Sequence, residues 1–130
     1  MKFSVGTDIV DIEKLRDSFA RWDYRLINRV LTEKEQEYCR SKANFLQSVA
    51  GRIAAKEAVY KALYRQGVSG YSWKDIEILE DATKAPRVHI STRVAHITPK
   101  AQIEVSISHT DRQAIAVAHV VVIDPGDDGS

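Results

Sequence analysis

Glu57 is a carboxylate where an apolar side chain is expected. Counting by fours, Val49 and Ile53 lead to Glu57 and then Lys61, so an acid and a base continue one ridge of a helical segment. Two chemistries fit that placement. One is an (i, i+4) ion pair on a solvated helix face, which is common and inert. The other is a hard oxygen ligand, which needs a second carboxylate, and Asp8, near the end of the opening strand, can supply it. Two carboxylates with open coordination positions suit a magnesium ion that keeps waters and binds substrate phosphates. Asp8 also has an ordinary reading as the cap of the helix that follows it. Lys61, one turn beyond Glu57, reaches the same region and can neutralise phosphate charge or donate a proton to a leaving oxygen.

Other groups carry weaker signals. Arg52 and Lys56 lie one ridge away, and without a further phosphate signal they read as a solvated helix face. Neither Gly-x-Gly-x-x-Gly nor a Walker sequence occurs, so phosphate would be held by side chains and metal. His109, in Ser106-Ile107-Ser108-His109-Thr110, follows an alternating strand and is either a ligand contact at the sheet edge or a satisfied turn histidine. His89, His96 and His119 lack mutual metal spacing and read as structural. Cys39 has no base nearby in sequence, which argues against a catalytic thiol. Trp22 and Trp73 read as core or subunit-contact residues rather than cofactor platforms. Between positions 14 and 29 five basic side chains (Lys14, Arg16, Arg21, Arg25, Arg29) face two acidic ones, Asp17 and Asp23. Arg21, Arg25 and Arg29 share (i, i+4) spacing and, on one continuous helix, form a basic stripe suited to nucleic acid or an acidic protein.

These groups need elements to hold them. Phe3 to Ile12 is short, β-branched and interrupted by Gly6, which predicts an opening strand. Ile12, Leu15, Phe19 and Trp22 then recur at helical spacing. Thr32 with Glu35 has the form of a capping box for a short helix through about Arg40. The longest helix is predicted from about Asn44 to Gln66, with Leu46, Val49, Ile53, Ala54 and Ala58 as its buried stripe and Gly67 closing it. Ile76 and Ile78, then Val88 and Ile90, alternate with polar residues as strands do. Ser91 is placed to cap a short helix through Ile97. Residues 103–108 and 113–123 read as two strands that pair as a hairpin. The order argues for an α+β fold, an antiparallel sheet covered by one long helix with shorter helices beside it.

At 130 residues the chain is expected to be one domain over 1–123, with the acidic tail 124–130 disordered. A formal charge of +1 gives no whole-molecule reason to expect nucleic acid or a membrane surface as partner. One cysteine and no signal-like or membrane-length apolar run point to the cytoplasm.

Three segments together, Gly6-Thr7-Asp8-Ile9-Val10, Gly51-Arg52-Ile53-Ala54-Ala55-Lys56-Glu57-Ala58-Val59-Tyr60-Lys61-Ala62 and Ser106-Ile107-Ser108-His109-Thr110, resemble the holo-acyl-carrier-protein synthases, small single-domain phosphopantetheinyl transferases. The resemblance spans nearly the whole chain. It implies that Asp8 and Glu57 hold magnesium with the pyrophosphate of coenzyme A, and that Lys61 assists at the phosphates. Arg52 and His109 would bind the nucleotide end, with Thr110 beside His109 and Pro86 lining the site. It further implies transfer of phosphopantetheine to a serine of an apo acyl carrier protein, recognised through the basic segment 14–29, and a homotrimer with active sites between subunits. The family often carries Gly-Lys-Pro before its middle strand, where this chain has Lys84-Ala85-Pro86. The competing reading is a non-catalytic module that holds an acidic partner through the basic helix, with Glu57 and Lys61 merely paired.

Overall fold

The computed structural model describes residues 1–22, 24–94 and 101–123. Strand β1 (Lys2–Asp11) leads directly into helix α1 (Ile12–Trp22), followed by α2 (Tyr24–Val30), α3 (Glu33–Arg40) and the long α4 (Phe45–Arg65). Strands β2 (Ile76–Glu80), β3 (Pro86–Ile90), β4 (Ala101–His109) and β5 (Gln113–Val122) complete the order. Sheet order is β1-β5-β4, antiparallel throughout, and β2 and β3 form a separate antiparallel pair with Ile78 opposite Val88. The α+β expectation and the β4–β5 hairpin are what the structure has. Of the helix expected from Ser91, Val94 N donates to Ser91 O at 3.1 Å in a turn, and residues 95–97 lie outside the described residues. The tail 124–130 also lies outside them.

The caps explain where the helices begin and stop. Thr32 and Glu35 form the reciprocal capping box of α3, and the Asn44 side chain accepts from Gln47 N at the start of α4. At the end of α4, Gly67 takes φ 78°, its N–H donates to Tyr64 O and that of Val68 to Leu63 O. That pair of bonds is a Schellman closure, and the left-handed residue it needs is the glycine.

The sheet lies against α4 through small residues. On β5, Ala114, Ala116, Ala118, Val120 and Val122 are buried; on α4, Ala54, Ala55, Ala58 and Ala62 are buried with Val49. Leu46 and Ile53 are half-buried. The closest approach is at Gly6 of β1. A Cβ there would lie 2.0 Å from Ala58 O and 2.8 Å from Ala62 N, so the strand can cross the helix only where a side chain is missing. No helix among the described residues is long and apolar enough to cross a membrane.

Candidate active site

The crossing of β1 over α4 brings Asp8, Glu57 and Lys61 together. Ser4, Gly6 and Asp8 share the face of β1 that meets the helix. Ser4 Oγ anchors the strand by donating to Ala62 O at 2.6 Å. One residue nearer the helix N-terminus, Lys61 Nζ donates to Asp8 Oδ1 and to Thr7 O, each at 3.0 Å. Lys61 thus reaches across to the strand, in place of the simple helical pairing with Glu57. Nor does Asp8 cap α1: Asp11 does, accepting from Lys14 N at 3.1 Å. β1 runs on to Asp11, so Asp8 stands inside the strand, opposite Ala116. Glu57 is half-buried, and its pKa is raised, first by burial and then by the negative charge of Asp8, with Lys61 opposing.

Glu57 opens into a cleft of about 550 Å³ whose walls include Arg29, Tyr60, Tyr71, Trp73 and Lys74. The loop that carries Tyr71 and Trp73 is held by Asp75, which accepts from Ser72 N at 2.7 Å and from Arg93 Nε at 3.1 Å. The Arg93 guanidinium, with help from Ser72, holds the Asp75 carboxyl at about 2. Tyr71 and Lys74 are cleft residues that sequence reasoning missed, because they lie where the sequence has no periodicity. Trp73, read as a core or subunit contact, packs half-buried against the cluster of Ile12 and Leu31 and also lines the cleft. Trp22, by contrast, is exposed rather than core.

Lys56 also borders this cleft, and the solvated-face reading of it is wrong. It is 1% exposed, with Nζ 2.6 Å from Glu35 Oε1. Glu35, itself fully buried, also accepts from Thr32 N and from Ile78 N. The pair therefore joins α3, α4 and β2 behind Glu57, and burial pushes the Lys56 ammonium below its usual pKa against the pull of Glu35.

Arg52 is likewise buried, at 6% exposure. It lines a second cavity of about 240 Å³ that contains Pro86, His109, Gln47 and Lys84. Three segments distant in sequence are thus brought to one cavity. Lys84 takes the left-handed φ of 67°, a conformation glycine adopts without strain, at the place where the family's glycine is replaced. Thr110 instead closes the β4–β5 turn: its N–H donates to Gln113 O, and its hydroxyl accepts from Arg112 N and Gln113 N.

The basic segment spans α1 (Ile12–Trp22) and α2 (Tyr24–Val30), with Asp23 between them outside the described residues. Lys14, Arg21, Arg25 and Arg29 are exposed, Arg16 pairs with Glu13, and Arg29 sits at the cleft. Cys39 is fully buried and its thiol is pushed up to about 11, chiefly by burial, so it is inert at neutral pH. His89 and His119 are exposed on their strands, His119 stacked on Phe3; His96 lies outside the described residues.

An α+β fold whose strand-helix crossing presents two carboxylates and a lysine, flanked by a cavity with a buried arginine, defines a class. The chain belongs to the 4′-phosphopantetheinyl transferase superfamily, whose model matches residues 4–118. Within that class it is similar to the holo-[acyl-carrier-protein] synthase of Protochlamydia amoebophila, 40% identical over 118 residues, 91% of this chain and 97% of the relative. The Helicobacter pylori holo-[acyl-carrier-protein] synthase in complex with coenzyme A superposes with a TM-score of 0.77 at 32% identity, covering 90% of this chain and 99% of that one. The Chronobacterium ammoniagenes ACPS-CoA complex, at 22% identity, shares the fold with a TM-score of 0.84 over 95% of this chain and all of that one.

Proposed function

We propose that this chain moves the 4′-phosphopantetheine group of coenzyme A onto a serine of apo acyl carrier protein, giving holo carrier protein and adenosine 3′,5′-bisphosphate. The observation that carries this is the convergence of Asp8, Glu57 and Lys61 where β1 crosses α4, in a chain 40% identical to a holo-[acyl-carrier-protein] synthase. The serine oxygen attacks the β-phosphorus, a new O–P bond forms, and the P–O bond to the nucleotide breaks. Lys61, already drawn to this point by Asp8, supplies positive charge to the leaving oxygen. Glu57 accepts the serine proton, directly or through a water.

Asp8 and Glu57 are the residues that would hold magnesium. Their mutual repulsion, felt in the Glu57 pKa, would be relieved by a bound cation. Among the described residues no three His, Cys, Asp or Glu side chains gather as a metal cage, so substrate phosphate and water would complete the coordination. When bound, magnesium spreads the charge that builds on the pyrophosphate oxygens. Arg52, His109 and Pro86 would take the nucleotide, and the exposed bases of α1 and α2 the acidic carrier protein. Residues 1–123 act as one transferase domain, in a reducing compartment that suits a free Cys39.

The working form is a homotrimer. Its support here is the outer sheet face, where Phe3 (64% exposed), Val5, Ile9, Ile115 and Val117 form an apolar surface turned away from α4. Such a face is stabilised by covering it with another copy.

Intact mass spectrometry of apo acyl carrier protein incubated with the chain, coenzyme A and magnesium tests the activity. A gain of one phosphopantetheine is expected. A stable complex without mass change would support the binding-module reading instead.

A further inference from the structure

The cavity around Arg52 contains a contact that the chemistry at Glu57 does not use. Arg52 makes none of the ion pairs among the described residues, and its Nε is buried without a hydrogen-bond partner. Instead its guanidinium lies over the ring of Tyr38, 4.2 Å from the centroid. Tyr38 is held in turn: its hydroxyl donates to Glu80 at 2.8 Å, and Lys42 sits over the ring at 4.8 Å. Glu80 is the carboxylate of the cavity, and the Tyr38 bond and Lys42 occupy it. What remains free to meet a ligand is cationic, Arg52 with its unmet donors and Lys84, with the imidazole of His109 beside them.

A buried guanidinium with unmet donors is stabilised by an anion that accepts from it. Coenzyme A has two separate anionic groups, the pyrophosphate and the 3′-phosphate, one ribose apart. Arg52 precedes Glu57 by five residues, about 7.5 Å along α4 at 1.5 Å per residue. A ligand whose pyrophosphate sits at Asp8, Glu57 and Lys61 can therefore present its second anion to Arg52. Arginine is a flexible chain, and only a fixed plane gives bidentate contact to a phosphate. The Tyr38 ring supplies that plane.

We propose that Tyr38 is a positioning residue whose ring fixes Arg52 for the 3′-phosphate, and so sets the preference for coenzyme A over 3′-dephospho-coenzyme A. The proposal rests on the transfer activity stated above. Its test compares kcat/KM for the two nucleotides in the wild type, Tyr38→Leu and Tyr38→Phe. In parallel, calorimetry measures binding of adenosine 3′,5′-bisphosphate against adenosine 5′-monophosphate without carrier protein. Losing a cation–π contact to a desolvated arginine is expected to cut the coenzyme A preference of Tyr38→Leu about tenfold, and the calorimetric preference by a similar factor. Tyr38→Phe keeps the ring, loses only the Glu80 bond, and retains most of the preference. Arg52→Lys, which keeps the charge but not the plane, loses it as Tyr38→Leu does, and carries the test if the leucine variant does not fold. Equal loss for both nucleotides in Tyr38→Leu would overturn the proposal, because that is what mere loosening of α3 produces. A phenylalanine variant as impaired as the leucine one would also overturn it. A wild type that binds the bisphosphate with the expected preference but transfers nothing would sink the activity and leave Tyr38's role standing.

Discussion

Gly6→Ala puts the positioning of the site to a direct test. The added methyl would lie 2.0 Å from Ala58 O and 2.8 Å from Ala62 N, whereas real Cβ atoms essentially never come within 3.0 Å of another heavy atom. The strand must therefore withdraw from α4 by about 1 Å or more. The opposing atoms are helix backbone, so no rotamer change can make room, and the alanines around them offer nothing to retract. Overpacking of this kind costs about 1–3 kcal/mol, and a rigid opponent puts Gly6→Ala near the upper end. The same displacement carries Asp8 away from Glu57 and Lys61, and a misplacement of about 1 Å costs on the order of 10²-fold in rate. Urea denaturation and transfer to apo carrier protein, followed by mass, measure the two effects separately. An alanine variant with an unchanged midpoint and a rate near that of the wild type would refute the claim that close strand-helix contact builds the site.

Glu57→Gln and Asp8→Asn are each expected nearly to abolish transfer at limiting magnesium with fold and oligomer intact, and near-wild-type rates would exclude a shared metal. The raised Glu57 pKa fixes a sign: ionised Glu57 is disfavoured in the fold, so Glu57→Gln should stabilise the protein at neutral pH. That difference vanishes below the unfolded pKa of glutamate, as pH-dependent denaturation without added magnesium should show. Gly67→Ala should cost about 1 kcal/mol by denaturation, because φ 78° is strained for alanine, while leaving transfer intact. Arg21→Glu with Arg25→Glu should raise KM for the carrier protein and not for coenzyme A, as added salt does to the wild type, and equal loss for both substrates would indicate damaged assembly. Val5→Lys with Val117→Glu should dissociate the oligomer in sedimentation; an unchanged mass would clear the outer sheet face of that role.

Much of this was legible in the chain. The α3 capping box, the glycine that closes α4, the alternation of β4 and β5 and their hairpin are written within a few residues, because the hydrogen bonds they describe span only that far. The helix ridge that leads to Glu57 and Lys61 is local in the same sense. Tertiary structure decided the rest. Lys56 reads as solvated until Glu35 arrives from another helix to neutralise it. The cap reading of Asp8 fails only when the length of β1 is known, because the strand runs on to Asp11. Gly6 looks like an interruption of a strand until the Ala58 carbonyl is found against it. The segment with Tyr71 and Trp73 acquires a place beside Glu57 only by folding. Local backbone patterns carry their own partners, whereas the burial of a charge, or the closeness of two backbones, depends on a segment far away in the chain that no short stretch of sequence contains.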